Sequence, residues 1–236
     1  MSIAENVEHV RAQIDEAARA AGRNPAEIIL CAATKMNDAA AVREAVAAGI
    51  RCCGENRVQE LTEKLKEHAY DGAEVHFIGH LQTNKVRQVV GKVSLIQSVD
   101  SLHLLEKINA EAERQQIVQR ILLEINIGRE ENKSGFYLEQ MPEVLSQIRG
   151  FPHVHVCGFM AVPPICQNPA ENHKFFQEIL QLSVDIKQKK YDNVSTDVLS
   201  MGMSGDFQEA VACGSTMVRI GTAIFGPRNY TNPHQG

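Results

Sequence analysis

The sequence predicts an α/β protein built as a single (β/α)₈ barrel of the TIM type, preceded by one extra N-terminal helix. Three observations predict it. Short apolar runs alternate strictly with amphipathic stretches along the chain, which argues for a parallel sheet. The apolar runs number about eight and are near-continuous, as expected of strands covered on both faces. The 236 residues suit one barrel, since such domains run to roughly 200–250 residues. An open doubly wound sheet is the alternative. Its nucleotide fingerprint would be a glycine-rich turn after the first strand, and Thr34-Lys35-Met36-Asn37 stands there instead.

The first stretch, MSIAENVEHVRAQIDEAARAAG, carries acidic residues throughout and reads as an amphipathic helix, not a secretory leader. The predicted strands are Ile28–Ala33, Ile50–Gly54, Val75–Gly79, Val93–Ser98, Gln119–Asn126, His155–Ala161, Val198–Met201 and Met217–Gly221. Helical spacing falls between them, over Ala39–Ala48, Arg57–His68, Asn84–Val90, Leu102–Gln115, Leu138–Arg149 and Ala170–Lys189. A short helix over Phe207–Cys213 precedes the last strand. The whole of 1–236 reads as one domain, with 229–236 as a loose C-terminal tail.

Composition excludes several classes. Apolar residues make up 44% and charged residues 22%, ordinary for a globular domain. A net charge of −5 gives no pull toward nucleic acid or an anionic membrane, and neither is expected as a partner. No apolar run reaches the roughly 20 residues of a membrane span, so a cytoplasmic location is expected. The six cysteines form no CxxC pair and read as free buried thiols. The nine histidines show no zinc spacing, and no metal is expected.

In a TIM barrel, chemistry sits at the C-terminal ends of the strands. Lys35 ends the first one. A partly desolvated lysine there becomes a nucleophile toward an aldehyde; the plainer reading is a strand-end lysine reaching for water. Barrels frequently bind phosphate after strands seven and eight. Ser204-Gly205-Asp206 follows the seventh, offering a hydroxyl beside free N–H groups. Gly221-Thr222 follows the eighth, with a close backbone and a second hydroxyl. Helix capping and packing are the plainer readings. Arg219 lies inside the apolar strand MVRIG, where a charge needs a partner, and it could reach a heteroatom of a ligand in the same mouth. Lys133, in Asn132-Lys133-Ser134-Gly135, reads first as a solvated loop lysine and secondarily as an anion contact.

The runs LSMGMSGDFQEAVACGSTMVRIGTAIFGPR and VHFIGHLQTNKV, with GENRVQEL and KSGF, resemble the pyridoxal phosphate homeostasis (PLP-binding) protein family, from about Asn6 to Arg228. That family is similar to the N-terminal barrel domain of alanine racemase. The resemblance implies an alanine racemase N-terminal domain-like barrel holding pyridoxal 5′-phosphate (PLP). It implies a Schiff base on Lys35, a phosphate held by Ser204, Gly221 and Thr222, and a pyridine nitrogen facing Arg219. It also implies that Asn56 and Met201 line the cofactor. Two features depart from the pattern: Met-Asn-Asp follows the lysine where many members have a proline-containing turn, and GENR lacks the aromatic that often follows the asparagine. Neither removes a proposed PLP ligand.

Two functions compete on this resemblance. One is a PLP carrier that supplies apo PLP-dependent enzymes; the other is a slow amino-acid racemase. An arginine at the ring nitrogen donates a hydrogen bond but no proton, which weakens the electron sink that catalysis needs. None of Tyr70, Tyr137, Tyr191 and Tyr230 stands at a strand end suited to a second acid/base. The carrier reading, with no catalytic residue, is therefore the expectation. The second domain that joins the related racemases into dimers has no residues here, so a monomer is expected. A phosphate-binding isomerase barrel without PLP is a third reading.

Overall fold

The computed structural model describes residues 1–164, 166 and 168–227; the predicted tail, 229–236, lies outside the described residues. Eight parallel strands close a barrel in sequence order. They are β1 (Ile29–Ala33), β2 (Cys52–Glu55), β3 (Glu74–Phe77), β4 (Leu95–Val99), β5 (Gln119–Ile125), β6 (Val154–Ala161), β7 (Val194–Ser200) and β8 (Met217–Ile220). Every predicted strand is present. β7 begins earlier than its apolar run, because Val194, Ser195, Thr196 and Asp197 are not buried and give no apolar signal.

The helices are α1 (Ile3–Ala20), α2 (Ala39–Ala47), α3 (Val58–Lys66), α4 (Leu102–Arg114), α5 (Met141–Ile148), α6 (His173–Lys189) and α7 (Phe207–Ala212), with a short α8 (Thr222–Phe225) that the periodicity did not predict. The expected helix at Asn84–Val90 is a 3₁₀ segment, Thr83–Gln88, whose buried anchor is Val86. α1 starts on a reciprocal box in which the Ser2 hydroxyl accepts from the Glu5 amide and the Glu5 carboxylate accepts from the Ser2 amide. Its Val7, Val10, Ile14 and Ala18 form one buried stripe.

Alternation along the strands divides the core in two. Cys31, Cys52, Leu95, Leu122, Cys157, Met160, Val198 and Met217 form one cluster, the lumen core. The larger cluster lies between strands and helices. Gly158 sits where the β6–β7 register shifts, at φ +147°, and a Cβ there would stand 1.9 Å from the Val198 carbonyl oxygen. The bulge therefore requires glycine.

The extra helix braces one sector of the barrel. The Asn6 side chain donates through Nδ2 to the Ile224 carbonyl at 2.8 Å, which fixes α8. Arg23, just beyond α1, donates to the carbonyls of Val211 and Ser215, each at 2.7 Å, which fixes the end of α7. α7 and α8 are the elements that follow the loop after β7 and the end of β8.

Candidate functional site

Closure of the barrel puts β1 beside β8, and β7 on the other side of β8. The ends of these three strands surround a cleft of about 390 Å³ lined by Lys35, Arg219, Ser204, Gly221 and Thr222, with Ala33, Met36 and Asn37. Five of the sequence-predicted residues thus share one cavity. Asn56 follows β2 on the same rim and is half-buried, but is not among the cleft-lining residues. Met201 is fully buried in the shell core; its amide donates to the Met217 carbonyl and its carbonyl accepts from the Ser215 hydroxyl.

Lys35 stands two residues past β1, in a turn closed by the Asn37 amide donating to the Thr34 carbonyl. Met36 takes φ +62°, so the turn is held against a local preference. What holds it is a buried charged network. The Thr34 hydroxyl donates to Glu55 Oε1 at 2.7 Å, and the Thr34 carbonyl accepts from Lys64 Nζ at 2.8 Å. Lys64 pairs with Glu55, and also with Glu60 Oε2 at 3.3 Å. That Glu60 oxygen accepts from the Met36 amide at 2.7 Å. Tyr70 donates to Glu55 at 3.2 Å, and burial beside that carboxylate pushes its phenol well above the ordinary range. Both neighbours of Lys35 are therefore tied to one ion-pair cluster.

Arg219 is only 5% exposed. Its guanidinium donates to the Ser200 carbonyl at 2.7 Å, the Ser200 hydroxyl at 2.6 Å and the Ala161 carbonyl at 3.0 Å. Burial lowers its pKa, with the nearby charges of Cys31 and Glu124 opposing. Arginine stays protonated even so, and the carbonyl and hydroxyl oxygens fix its plane. It can donate to a ring heteroatom and cannot give up its proton to one.

Asp206 does not cap α7. Its carboxylate accepts from the Met203 amide at 2.7 Å and from the Asn172 side chain at 2.8 Å, shaping the turn that carries Ser204. Gly202 makes that turn possible: at φ +96°, a Cβ would lie 2.6 Å from Ala210. Across the cleft, Gly221 precedes the first turn of α8, and an added Cβ would touch Ala33 at 3.5 Å. Among the described residues, the Ser204 and Thr222 hydroxyls make no hydrogen bond of their own, which leaves both available to an anion.

Periodicity missed Glu124, although its signal matched that of Arg219: a charge inside an apolar strand. Desolvation, reinforced by Asp100, pushes its carboxyl up to about 7, against Arg219 and Lys133. In the unfolded chain the group ionises near the ordinary glutamate value of 4.5. Its folded pKa is raised, so stability falls as pH rises from about 4.5 to about 7. Glu124→Gln is expected to flatten that loss, on the order of 3 kcal/mol, in denaturant titrations across that window. Lys133 pairs with Glu130 on the same rim.

The donor set fits a phosphorylated aldehyde carried on a heteroaromatic ring. An amine stands on one side, two hydroxyls and a close backbone on another, and a fixed N–H donor lines the same space. Asn56 Oδ1, on the same rim but outside the cleft lining, is buried without a hydrogen-bond partner among the described residues.

Residues 5–229 match the family described as alanine racemase, N-terminal domain. A pyridoxal phosphate homeostasis protein of Aquifex aeolicus is 40% identical over 230 residues, spanning 98% of this chain and 100% of its own. Another, from Pseudomonas aeruginosa, is 39% identical over 232 residues, spanning 98% of each. The solved structure of PipY from Synechococcus elongatus with PLP bound superposes with a TM-score of 0.83 at 32% identity, over 95% of this chain and 100% of that one. The chain belongs to the pyridoxal phosphate homeostasis protein family, built on the fold of the alanine racemase N-terminal domain.

Proposed function

We infer that this chain binds PLP in the cleft at the C-terminal mouth of its barrel and serves PLP homeostasis. The Lys35 amine would hold the aldehyde carbon as a Schiff base. Ser204, Thr222 and the Gly221 backbone would hold the phosphate. Arg219 would donate to the pyridine nitrogen; the resemblance assigns Asn56 and Met201 to the cofactor's surroundings, although neither lines the cleft. The observation that carries this reading is the convergence of Lys35, Arg219, Ser204, Gly221 and Thr222 on one cleft. PLP supplies an aldehyde for amines and a ring that withdraws electrons when its nitrogen is protonated.

This chain's residues favour holding over turnover. Arg219 leaves a ring nitrogen neutral, because a guanidinium has no proton to surrender. Tyr70 is committed to Glu55, and Tyr137 lies with its ring 5.4 Å from the Arg129 guanidinium carbon. Neither Tyr137 nor Tyr191 lines the cleft, and Tyr230 lies outside the described residues. Glu124, though poised near neutrality, is also absent from the lining. Catalysis needs such groups where protons move; binding does not. The named relatives carry the name of a homeostasis protein and not that of a catalyst.

The phosphate contacts give one test. Charge-assisted hydrogen bonds contribute roughly 1.5–3 kcal/mol each, so Thr222→Val is expected to weaken PLP binding about tenfold or more. Pyridoxal, which lacks the phosphate, should lose much less. Equal losses would contradict the cradle.

A cleft open to solvent, with Thr222 and Met36 exposed at its edge, supports the reading that PLP is delivered to apo-enzymes. The chain acts as a monomer in the cytoplasm, a compartment that suits its six free cysteines. The experiment incubates PLP-loaded protein with an apo PLP-dependent enzyme and, separately, with single enantiomers of alanine and serine. Reactivation of the enzyme with negligible racemisation is the expected outcome. Turnover on the order of 1 s⁻¹ would overturn it.

A further inference from the structure

The opposite, N-terminal mouth of the barrel holds a second cavity of about 660 Å³, lined by Cys52, His76, Glu74 and two arginines, Arg11 and Arg51, among others. Nothing in PLP binding uses it. Behind its wall, three neighbouring strands bring Cys31, Cys52 and His76 together: the two Sγ atoms and an imidazole nitrogen all lie within 4.8 Å of one another, and all three residues are buried. The register explains why. Cys31 of β1 is the cross-strand partner of Cys52 of β2, and β2 in turn pairs with β3, which carries His76. These side chains all project into the lumen.

We propose that Cys31, Cys52 and His76 form a binding site for a thiophilic d¹⁰ cation, with Zn²⁺ the expected occupant. The dimensions agree. Zn–S bonds of about 2.3 Å and a Zn–N bond of about 2.05 Å at a tetrahedral angle require an S···N separation of about 3.6 Å and an S···S separation of about 3.8 Å. Cys52 Sγ stands 3.4 Å from His76 Nδ1. The surroundings agree as well. Glu74 Oε2 lies 3.4 Å from His76 Nε2, placed to accept a proton from that nitrogen and leave Nδ1, 3.4 Å from Cys52 Sγ, as the ligand atom. This is the carboxylate–histidine arrangement that orients metal-binding imidazoles. Gln97 Nε2 donates to Nδ1 at 2.9 Å; a metal would take that lone pair, and the amide keeps a contact with Met217 Sδ at 3.1 Å.

Metal uptake would release the thiol protons of Cys31 and Cys52. Two thiolates and a neutral imidazole select a soft or borderline cation over Mg²⁺ or Ca²⁺. They also neutralise a dication fully, which suits a wall that already carries Arg11 and Arg51. The sequence offers no warning of this set, because the ligands share no spacing motif and meet only through barrel register.

The test uses the PLP-loaded, reduced protein and Co²⁺ as a spectroscopic probe, titrated without oxygen and then displaced by Zn²⁺. The expected result is tetrahedral ligand-field bands, clear of the cofactor's absorption, that saturate at one equivalent and vanish on addition of Zn²⁺. Cys52→Ser and His76→Gln should each weaken cobalt binding at least tenfold, and Lys35→Ala should leave it unchanged. Variants that fold, judged by circular dichroism, but retain full binding would overturn the site. So would octahedral cobalt alone, or a protein that loses two hydrogens in a Cys31–Cys52 disulfide in place of metal uptake. Because Lys35→Ala empties only the opposite mouth, failure here is distinguishable from failure of the PLP reading.

Discussion

Replacing Lys35 with alanine is expected to abolish the visible Schiff-base band of the PLP-loaded protein and to weaken PLP retention by at least about a hundredfold, or ~2.7 kcal/mol. The lysine supplies the amine that the aldehyde needs, and among the described residues no other lysine lines the cleft. A lysine in this setting, half-buried behind a strand end, is poised to be a nucleophile. The fold should tolerate the change, since the turn is held by Thr34, Asn37 and the Met36 amide. Residual binding through Ser204, Thr222 and Arg219 should remain detectable by equilibrium dialysis and should be lost when Thr222→Val is added. A Lys35→Ala protein that kept the band would move the attachment elsewhere.

Lys64→Met is expected to destabilise the protein by about 3–5 kcal/mol, because it strands the Glu55 carboxylate, which is 0% exposed, without its cation. The same change removes the donor to the Thr34 carbonyl, so the Lys35 turn loosens and PLP affinity falls with stability. Adding Glu55→Gln should recover much of the loss, since a neutral amide no longer needs the ammonium. Chemical denaturation of the single and double variants measures the coupling. A single variant within about 1 kcal/mol of the parent would show that the network does not hold the turn.

The barrel was legible because a parallel strand buried on both faces writes an unbroken apolar run, and each of the eight strands did so over at least part of its length. β7 was shortened where its polar start is not buried, and the segment after β3 read as a helix because its spacing is shared by a 3₁₀ turn. The cleft was legible for a different reason. In a closed barrel the first and last strands are neighbours, so Lys35 and the Ser204, Arg219, Gly221 and Thr222 loops had to meet. Asn56 and Met201 were named from resemblance, and a strand-end position did not make either of them a cleft wall. Glu55–Lys64 and Cys31–Cys52–His76 were not legible. Each depends on which helix packs over which strand, or on the exact cross-strand register, and no local spacing encodes that.

Reductive trapping identifies the lysine that carries PLP. The PLP-loaded protein is reduced with borohydride, digested, and its peptides are mapped by mass. A pyridoxyl-phosphate adduct is expected on the peptide containing Lys35, at near-stoichiometric yield and nowhere else in comparable amount. An adduct concentrated on another lysine, such as Lys133 or Lys64, would contradict it.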